Sequence, residues 1–319
     1  MRAIAVQHFG DAPEVVDLPI PEPGPGQVRV RLAVAAINPM DMAAAAGRFA
    51  RMGAHRFPLV LGFDGAGTVS AVGADVRELA VGDPVFGQFW TDPIGYGTYA
   101  EYTIMAERGP TGAIATIPAG LSMAQAAALL TAASTALGAL DNVGCGAGET
   151  LLLIGATGGL GTFATQIAAS RGIHVVATAA ADAADGIRRL GAARTIDYKA
   201  APLGEALSVA APDGLDGVVD ATGDRDSVSA AARRLKDGRS VVSVAFGVGD
   251  DLLKDRRIRA INYQFDDKPA RLREVGRLAA AHVITPVISD EIAFDDALAT
   301  LRRPRGGARG KVIIRIQAR

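Results

Sequence analysis

A glycine-rich turn near the middle of the chain is the first place where residue types and spacing suggest chemistry. The apolar run Leu151–Ile154 ends at the letters GATGGLG, after which apolar residues recur at helical spacing. This pattern predicts a strand, a tight turn and a helix. The free backbone N–H groups at a helix start favour a phosphate. The residues predicted to bind a dinucleotide there are Ala156, Thr157, Gly158, Gly159, Leu160 and Gly161.

The turn departs from the dinucleotide fingerprint G-x-G-x-x-G because Ala156 stands at the position of its first glycine. Gly158 would let the backbone approach a pyrophosphate, and Gly161 would let the helix pack closely on the sheet. The alternative interpretation is a glycine turn that only packs an α/β domain. The position of the turn, between a strand and a helix at the start of an alternating region, favours the dinucleotide.

The end of the second strand predicted in this region bears on the identity of the dinucleotide. Proteins that bind NAD place an acid about 20 residues after the turn, where it holds the ribose hydroxyls. This chain has Thr178, Ala179 and Ala180 there, and Asp182 is expected to cap the next helix. The missing acid favours NADPH, because a carboxylate would repel its 2′-phosphate.

Two later strand ends are also expected to face the cofactor. Thr222 follows the fourth predicted strand of the alternating region, and Ala245 and Phe246 follow the fifth. Ligands of such domains bind outside the carboxyl ends of the parallel strands. These residues are therefore predicted to lie at the same edge of the sheet as the glycine turn.

An asparagine-proline pair near the start of the chain is a second candidate motif. Asn38 suits an N-cap, Pro39 suits the first helical position, and Asp41 suits the positive end of the helix. Capping would fix the Asn38 side chain, so this structural role is compatible with a place in an active site. The Thr131 hydroxyl, within a helical segment, has the alternative of bonding back to its own backbone.

These residues need two kinds of domain to position them. Residues 1–118 form short alternating runs cut by glycine and proline, and an alanine-rich helix with Ser122 as its N-cap is expected next. Strands and helices then alternate, which is typical of a doubly wound parallel sheet. The chain end is β-rich again. The simplest prediction is a β-rich domain, 1–121 plus 266–319, into which an α/β domain at 122–265 is inserted.

The composition is that of an ordinary globular protein, and it argues against several classes of function. The 319 residues are 49% hydrophobic and 21% charged, with a formal net charge of −1, so nucleic acid is not an expected partner. We expect no signal peptide and no apolar stretch near the roughly 18–20 residues of a membrane helix. The single cysteine, Cys145, excludes an internal disulfide and a cysteine-rich metal site. A cytoplasmic protein without a membrane partner is the expectation.

Motifs spread over nearly the whole chain resemble one family. They are AAINPMDMAAAAGRF, PLVLGFDGAGTVSAVG, VGDPVFG, GTYAEY, LLTAASTAL, LIGATGGLGTFATQIA, RRLGAARTIDY and ARGKVIIRI. In this order they resemble the quinone oxidoreductase (zeta-crystallin-like) branch of the medium-chain dehydrogenase/reductase superfamily, a branch that uses no zinc. The resemblance implies a Rossmann domain inserted in a GroES-like catalytic domain. The P-loop, the Y-x-x-x-K pair and the G-x-S-x-G and H-E-x-x-H motifs of other families do not occur.

The resemblance also bears on metal and on reaction type. Zinc dehydrogenases of the superfamily carry a cysteine at the position of Asn38, a histidine at Phe63 and a second cysteine near Thr131. The four histidines are scattered, so we expect neither a catalytic nor a structural zinc site. Without a Lewis acid, reduction of an activated C=C bond fits better than alcohol oxidation. The implied reaction is hydride transfer from NADPH to a quinone or an enone.

The same resemblance assigns roles to individual residues. The candidate catalytic residues, expected beside the nicotinamide and the substrate, are Asn38, Asp41 and Thr131. Tyr198 would lie at the adenosine 2′-phosphate, with a half-buried strand-end tyrosine as the alternative. Independently of the resemblance, the basic stretch RRPRGGARGK is expected to be a solvated loop, which could lend Arg305 or Arg309 to that phosphate. The strand expected in RRIRAINYQF would pair with its copy in a homodimer, unless it is only an edge strand guarded by arginines.

Two alternatives to a quinone or enone reductase stay open. An enoyl-thioester or polyketide-tailoring reductase would use the room left by the alanines at 43–46. A non-catalytic NADPH-binding protein, structural or redox-sensing, would suit the sparse set of catalytic candidates. Turnover of thioesters alone would favour the first alternative. Tight cofactor binding without turnover of any acceptor would favour the second.

Overall fold

A computed structural model describes residues 1–109, 112–264, 269–302 and 307–316 of the chain. Its strands are β1 (Arg2–Val6), β2 (Glu14–Asp17), β3 (Gln27–Ala36), β4 (His55–Val60), β5 (Asp64–Val72), β6 (Pro84–Gln88), β7 (Ile94–Tyr96), β8 (Tyr102–Ala106), β9 (Ala113–Thr116), β10 (Thr150–Ile154), β11 (His174–Thr178), β12 (Arg194–Ile196), β13 (Leu215–Asp220), β14 (Leu235–Ser243), β15 (Arg259–Asn262), β16 (Ile288–Ala293) and β17 (Lys311–Arg315). Its helices are α1 (Pro39–Ala45), α2 (Met123–Val143), α3 (Gly159–Ser170), α4 (Ala184–Arg189), α5 (Leu203–Ala210), α6 (Arg225–Ala232), α7 (Asp250–Leu253), α8 (Pro269–Ala280) and α9 (Ala297–Leu301). Two short 3-10 helices cover Ala181–Ala183 and Phe294–Asp296.

The middle of the chain folds around a parallel sheet of six described strands. Their order is β12-β11-β10-β13-β14-β15, and each neighbouring pair runs parallel. This is the 3-2-1-4-5-6 order of dinucleotide-binding domains, which reverses between the first and fourth strands. Here the reversal lies between β10 and β13, next to the glycine turn. The prediction of a Rossmann sheet is confirmed.

The two chain ends build the other domain. Within the described ranges, one sheet has the order β16-β17-β3-β5-β6-β9, with β8 also paired to β3, and a smaller sheet has the order β2-β1-β4-β7. β17, from the chain end, runs antiparallel to β3 and sets Ile314 opposite Ala35. This confirms a β-rich domain made of both chain ends. The exact boundaries proposed at residues 121 and 266 stay predictions, and 266 lies outside the described residues.

One long helix, α2, contacts both domains. It packs against β3 and β5 of the β-rich domain and against α3 and β14 of the α/β domain. Ser122 is its N-cap, as predicted, because its hydroxyl oxygen accepts a hydrogen bond from the Gln125 N–H at 3.2 Å. Gly144, with φ +73°, ends the helix in the left-handed conformation.

The expectation that no segment is long and apolar enough for a membrane was wrong for α2. Among the described helices it is the one that passes by length and composition, with a mean hydropathy of 1.4 over its apolar window. However, 83% of that window is buried inside the protein, which is typical of a core helix. The apolar side chains of α2 therefore pack against the two domains that this helix contacts.

Candidate active site at the domain junction

The glycine turn joins β10 to α3 with the predicted geometry. Gly155 has φ +85°, and a Cβ on Gly161 would lie 2.2 Å from the Gly155 carbonyl oxygen. Both positions therefore require glycine. A Cβ on Gly158 would have only the Gly155 oxygen near it, at 3.6 Å, so space is open beside this residue. Because the first N–H groups of α3 have no acceptors within the helix, the turn fits a pyrophosphate by backbone chemistry alone.

The six predicted turn residues divide into accessible and buried positions. The four central ones are half-buried and accessible: Thr157, Gly158, Gly159 and Leu160. Ala156 is fully buried and its side chain belongs to the core beneath the turn. Gly161 is also buried, against Ala156. The alanine at the first fingerprint position thus packs the turn onto the core, and the accessible residues around Gly158 are those that face outward.

The tip of β11 holds two of the predicted residues and an ion pair. The Thr178 hydroxyl oxygen accepts a hydrogen bond from the Gly155 N–H at 2.9 Å, which ties β11 to the turn. Ala179 is buried. Asp182 was expected to cap a helix, but it lies inside the 3-10 helix Ala181–Ala183 and its carboxylate accepts a hydrogen bond from Arg309. The Arg309 guanidinium lowers the pKa of Asp182.

Tyr198 lies just beyond β12 and is 49% exposed. The Lys199 ammonium is 5.9 Å from the centre of its ring. About half of this residue is accessible to a ligand, so the prediction of a contact with the 2′-phosphate and its half-buried alternative both stay open. Of the two arginines predicted for this region, Arg309 reaches the tip of β11 through Asp182. Arg305 lies outside the described residues.

The residues predicted after β13 and β14 lie at the same edge of the sheet. The Thr222 hydroxyl donates to the buried Asp220 carboxylate at 2.7 Å, and a Cβ on Gly155 would lie 2.8 Å from the Thr222 methyl group. The Ser243 hydroxyl donates to the other Asp220 oxygen at 2.7 Å. Ala245 is half-buried, and Phe246 is 55% exposed with φ +60°. The structure thus brings Thr222 next to the turn and leaves the Phe246 ring open to a ligand.

A backbone bridge joins this edge to the β-rich domain. The Gly310 N–H donates to the Thr157 carbonyl oxygen at 2.8 Å, and Gly158 and Gly310 form a parallel β-bridge. Gly310 has φ +96°, and a Cβ on it would lie 2.3 Å from the Val287 carbonyl oxygen. The residue that follows, Lys311, begins β17. The last strand of the chain is therefore fixed to the glycine turn before it enters the other domain.

Asp64 is the centre of a buried hydrogen-bond cluster that includes two predicted catalytic residues. Its carboxylate accepts bonds from the Asn38 side-chain amide at 2.9 Å, the Thr131 hydroxyl at 2.6 Å and the Thr131 N–H at 3.0 Å. The Thr131 oxygen in turn accepts from the Gln88 amide at 2.8 Å. Thr131 thus bonds across to the other domain, and the alternative of a bond to its own helix is wrong. Burial raises the pKa of Asp64, while the Lys311 charge lowers it.

Asp41, the third predicted catalytic residue, is completely buried beside this cluster. One of its oxygens, Oδ2, accepts hydrogen bonds from the Tyr99 hydroxyl and from the Asn38 N–H, each at 2.6 Å. Its other oxygen, Oδ1, has no hydrogen-bond partner. Burial raises the pKa of Asp41 to about 7. Asp41 therefore sits at the start of α1, as predicted, but as an enclosed group that can hold a proton near neutral pH.

Lys311 completes the cluster and was not among the predicted site residues. Its ammonium is buried and donates to the Asn38 side-chain oxygen and, at 3.0 Å, to the Ile37 carbonyl oxygen. Burial lowers the pKa of Lys311, while the carboxylates of Asp64 and Asp41 raise it. The signal in the sequence is a lysine directly before an apolar run, in GKVIIRI, but no neighbouring residue indicates that its ammonium is buried beside Asn38.

An aromatic group borders the same cluster on the side of Asp64. The Phe63 ring stacks on Trp90 with centroids 4.8 Å apart, and Phe49 meets both rings edge-on. Phe63 occupies the position at which the resemblance to zinc dehydrogenases of the superfamily would require a histidine. Within the described residues, no three side chains of histidine, cysteine, aspartate or glutamate are grouped to hold a metal ion.

The alanines at 43–46 differ in their exposure. Ala44 and Ala45 are buried in the core of the β-rich domain, together with residues such as Phe63 and Trp90, and their small side chains serve packing. Ala43 is half-buried and Ala46 is exposed. The room that the thioester alternative requires could therefore come from Ala43 and Ala46 alone, and this alternative stays open.

Comparison with known proteins agrees with this architecture. Residues 24–116 match the family model of the alcohol dehydrogenase GroES-like domain, and residues 159–259 match that of the zinc-binding dehydrogenases. The chain is 31% identical to 2-methylene-furan-3-one reductase of Solanum lycopersicum over 88% of this chain and 69% of that protein. It is 29% identical to the mitochondrial NAD(P)H oxidoreductase RTN4IP1 of Homo sapiens over 88% of this chain and 80% of that one. A solved quinone oxidoreductase from Coxiella burnetii superposes with a TM-score of 0.86 at 26% identity, covering 99% of both chains.

The fold and the site define an oxidoreductase with a dinucleotide-binding domain inserted in a GroES-like domain. The chain belongs to the medium-chain dehydrogenase/reductase superfamily, in its quinone oxidoreductase branch. The resemblance found in the sequence motifs is thereby confirmed. A nicotinamide cofactor follows from this membership.

Proposed function

We propose that the chain is a zinc-independent, NADPH-dependent reductase that transfers hydride to a quinone or to the β-carbon of an enone. The observation that carries this proposal is the bridge between Gly158 and Gly310. This bridge fixes the glycine turn, where a pyrophosphate fits, to the strand β17. The first residue of β17, Lys311, belongs to the buried cluster around Asp64. The reductases and quinone oxidoreductases among its relatives support the same reaction class.

The chain's own residues bind and orient the reactants. Bound NADPH supplies the hydride. The N–H groups of the glycine turn would hold the pyrophosphate. The Asp64 carboxylate holds the Asn38 amide and the Thr131 hydroxyl in place, so that they would form a rigid wall beside the reacting groups. Positioning of this kind can supply much of the rate enhancement of a two-reactant step. Solvent supplies the proton that completes the reduction, because Asp41 is enclosed by Tyr99 and Asn38.

A preference for NADPH over NADH is proposed from Arg309 and Tyr198. Arg309 lies at the tip of β11, and Tyr198 is exposed nearby, where the 2′-phosphate of NADPH is expected. We expect Arg309→Gln to weaken NADPH binding by about tenfold and to leave NADH binding unchanged, because NADH has no 2′-phosphate with which the arginine could form a charge-assisted hydrogen bond. Arg188→Gln, which removes another arginine paired with an aspartate, is the matched control. Equal losses for NADPH and NADH in Arg309→Gln would contradict the assignment.

Zinc independence is proposed from the side chains at the expected ligand positions. Phe63 offers no ligand atom and is stacked on Trp90, and the Asn38 amide is engaged by Asp64 and Lys311. Such a set does not suit Zn²⁺, which takes cysteine, histidine and carboxylate ligands. Activity should survive dialysis against a strong chelator, with no zinc retained by elemental analysis. Loss of activity that added zinc restores would overturn this part of the proposal.

An acceptor screen tests the reaction itself. Binding of NADPH and NADH is first measured by the fluorescence of the nicotinamide, and oxidation of NADPH is then followed with small quinones, enones and acyl thioesters. Turnover of quinones or enones is the expected result. Turnover of thioesters alone would favour a thioester reductase. Tight binding without turnover of any acceptor would instead favour a non-catalytic NADPH-binding protein.

A homodimer is proposed through the edge strand β15. This strand lies at one end of the parallel sheet, beside β14, and its free edge can pair with a second copy. Light scattering should give twice the chain mass. The Tyr263 N–H donates to Ser243 of β14, so the alternation along β15 turns the Ala260 N–H toward the free edge. Ala260→Pro, which removes that N–H, should shift the equilibrium toward the monomer. A wild-type monomer at micromolar concentration would contradict it. A cytoplasmic location is proposed as well, to be tested by fractionation of the native host.

A further inference from the structure

We propose that Lys311 is a positioning residue that connects the glycine turn of one domain with the Asn38 amide of the other. Through this contact the turn, when it holds the cofactor, sets the orientation of Asn38 at the reaction centre. The inference rests on the proposed function for what Asn38 orients. The contacts that carry it do not depend on the identity of the substrate.

The alkyl stem of Lys311 packs directly on the turn. A Cβ built on Gly159 would lie 2.5 Å from Lys311 Cδ and 3.2 Å from Cγ, so the stem occupies the space that a side chain at 159 would need. The residue before it, Gly310, is bonded to Thr157 of the same turn. Lys311 thus contacts the turn by its stem and follows a backbone that is fixed to the turn. A displacement at Gly159 reaches the Lys311 side chain without an intermediate residue.

The charged end of Lys311 determines which way the Asn38 amide faces. The oxygen and nitrogen of an asparagine amide have nearly the same shape but opposite hydrogen-bonding character. Here the Lys311 ammonium holds the oxygen, and the Asp64 carboxylate holds the nitrogen. All three groups are buried, so water cannot substitute for either partner. Lys311 and Asp64 together therefore fix a single orientation of Asn38.

A lysine that only filled space would be replaceable by an apolar residue of similar length. Removal of one partner from a buried ion cluster lowers stability whatever the role of that partner, so stability alone does not distinguish the two roles. A positioning residue differs because its replacement changes the rate of the reaction more than the binding of the cofactor. The two roles therefore separate when turnover and cofactor binding are measured on the same variant.

The first experiment compares Lys311→Met with Lys236→Met. Lys236 forms an ion pair with Asp216 and has no contact with the turn in the structure, so it controls for loss of a lysine charge. We expect Lys311→Met to lower kcat about 10–100-fold, the size of effect that a 1 Å misplacement produces, with the Kd for NADPH within about threefold. Lys236→Met should change neither. A folded Lys311→Met variant with wild-type kcat would overturn the proposal.

Gly159→Ala keeps the test valid if Lys311→Met does not fold, because this variant leaves Lys311 in place. Gly159→Ala retains the lysine charge but places a methyl group against its stem, so kcat should fall. In a Lys311→Ala background the stem is gone, and the nearest remaining atom to that methyl group is the Gly310 oxygen at 3.4 Å. Gly159→Ala should then lower the melting temperature in the wild type and leave it unchanged in Lys311→Ala. Equal losses in both backgrounds would show that the stem contact does not exist.

A third measurement does not require turnover. The chain has five lysines, so their side-chain NMR signals can be resolved and Lys311 assigned by its loss in Lys311→Met. Saturation with NADPH should shift the Lys311 signal and leave that of Lys236 in place. If the protein binds NADPH but reduces no acceptor, the proposed function fails while this shift still reports on the contact. An unchanged Lys311 signal at saturation would overturn the inference.

Discussion

The glycine turn and the Asp64 cluster meet at Lys311, yet they are built in different ways. The turn uses backbone N–H groups and small residues from one short segment, and its central residues are accessible. The cluster uses buried side chains from distant segments, including Asp41, Asp64 and Lys311. Backbone groups do not titrate, whereas carboxylates and amines do. The turn should therefore be insensitive to pH and sensitive to added volume, whereas the cluster should respond to pH.

Removal of the Asp64 carboxylate should have the largest effect. Asp64→Ala leaves the Asn38 amide and two Thr131 donors without an acceptor and leaves Lys311 beside a single acid. We expect a loss of about 3–5 kcal/mol in the free energy of unfolding by urea denaturation, as for broken buried charge pairs. Asp141→Ala, which breaks ion pairs at the surface, should cost about 1 kcal/mol or less. Similar losses in the two variants would mean that the cluster is not tightly coupled.

Added volume in the turn should have the next largest effect, and it should depend on position. Gly161→Ala puts a methyl group 2.2 Å from a backbone oxygen, so about 3 kcal/mol of stability should be lost. Gly158→Ala enters open space and has an ordinary φ of −71°, so stability should be unchanged. The new methyl group should nevertheless weaken NADPH binding, measured by fluorescence titration. Unchanged NADPH binding in a stable Gly158→Ala variant would show that the pyrophosphate does not bind at this part of the turn.

A pH-dependent effect should be confined to the cluster. The pKa of Asp41, raised by burial from its ordinary 3.8 to about 7, means that the folded protein binds this proton more tightly than the unfolded chain. The stability contributed by protonated Asp41 is complete below about pH 4 and is lost as the pH rises to about 7. An asparagine at position 41 cannot lose a proton in this range, so Asp41→Asn lacks the pH-dependent loss. The melting temperature of this variant should therefore increase relative to that of wild type as the pH rises from about 4 to about 7.

A companion variant controls the assignment of this pH dependence. The Tyr99 hydroxyl bond lowers the pKa of Asp41, so Tyr99→Phe should move the transition to higher pH. A melting-temperature difference between Asp41→Asn and wild type that is constant with pH would show that Asp41 does not titrate in this window.

The smallest effect is expected where the turn relies on one side chain. Thr178→Val removes the acceptor of the Gly155 N–H and keeps the shape, so about 1 kcal/mol of stability should be lost. Thr178→Ser, which keeps the hydroxyl, should behave as wild type. A larger loss of stability in Thr178→Val, accompanied by weaker NADPH binding, would show that the turn depends on this side chain and not mainly on its backbone groups.

Local patterns were sufficient to predict the turn and most of the fold. The alternation of apolar strands and helices gave the parallel sheet, and Ser122 was recognised as a cap from its own neighbours. The turn residues were found because a strand end, glycines and a helix start lie together in sequence. Interactions within a few residues carry this information, so no knowledge of tertiary contacts was needed.

The cluster could be predicted only in part, because its contacts are long-range. Thr131 and Asp64 are 67 residues apart, and Lys311 and Asn38 are 273 residues apart. Sheet pairing of β17 with β3 brings the last two together, and nothing near Lys311 in sequence indicates its partner. Asp182 was misjudged for the same reason, since its partner Arg309 comes from the chain end.

The bridge between Gly158 and Gly310 also defines what can be exchanged between relatives of this protein. A segment that carries the nucleotide-binding sheet is not a module by itself, because its turn is completed by β17, a strand of the other domain that begins at Lys311. A chimera that takes the two parts from different parents would join a turn and a strand that never evolved together. Any side chain at 159 or 310 would then collide with Lys311 or Val287, so functional recombination requires the terminal strand to be inherited with the turn.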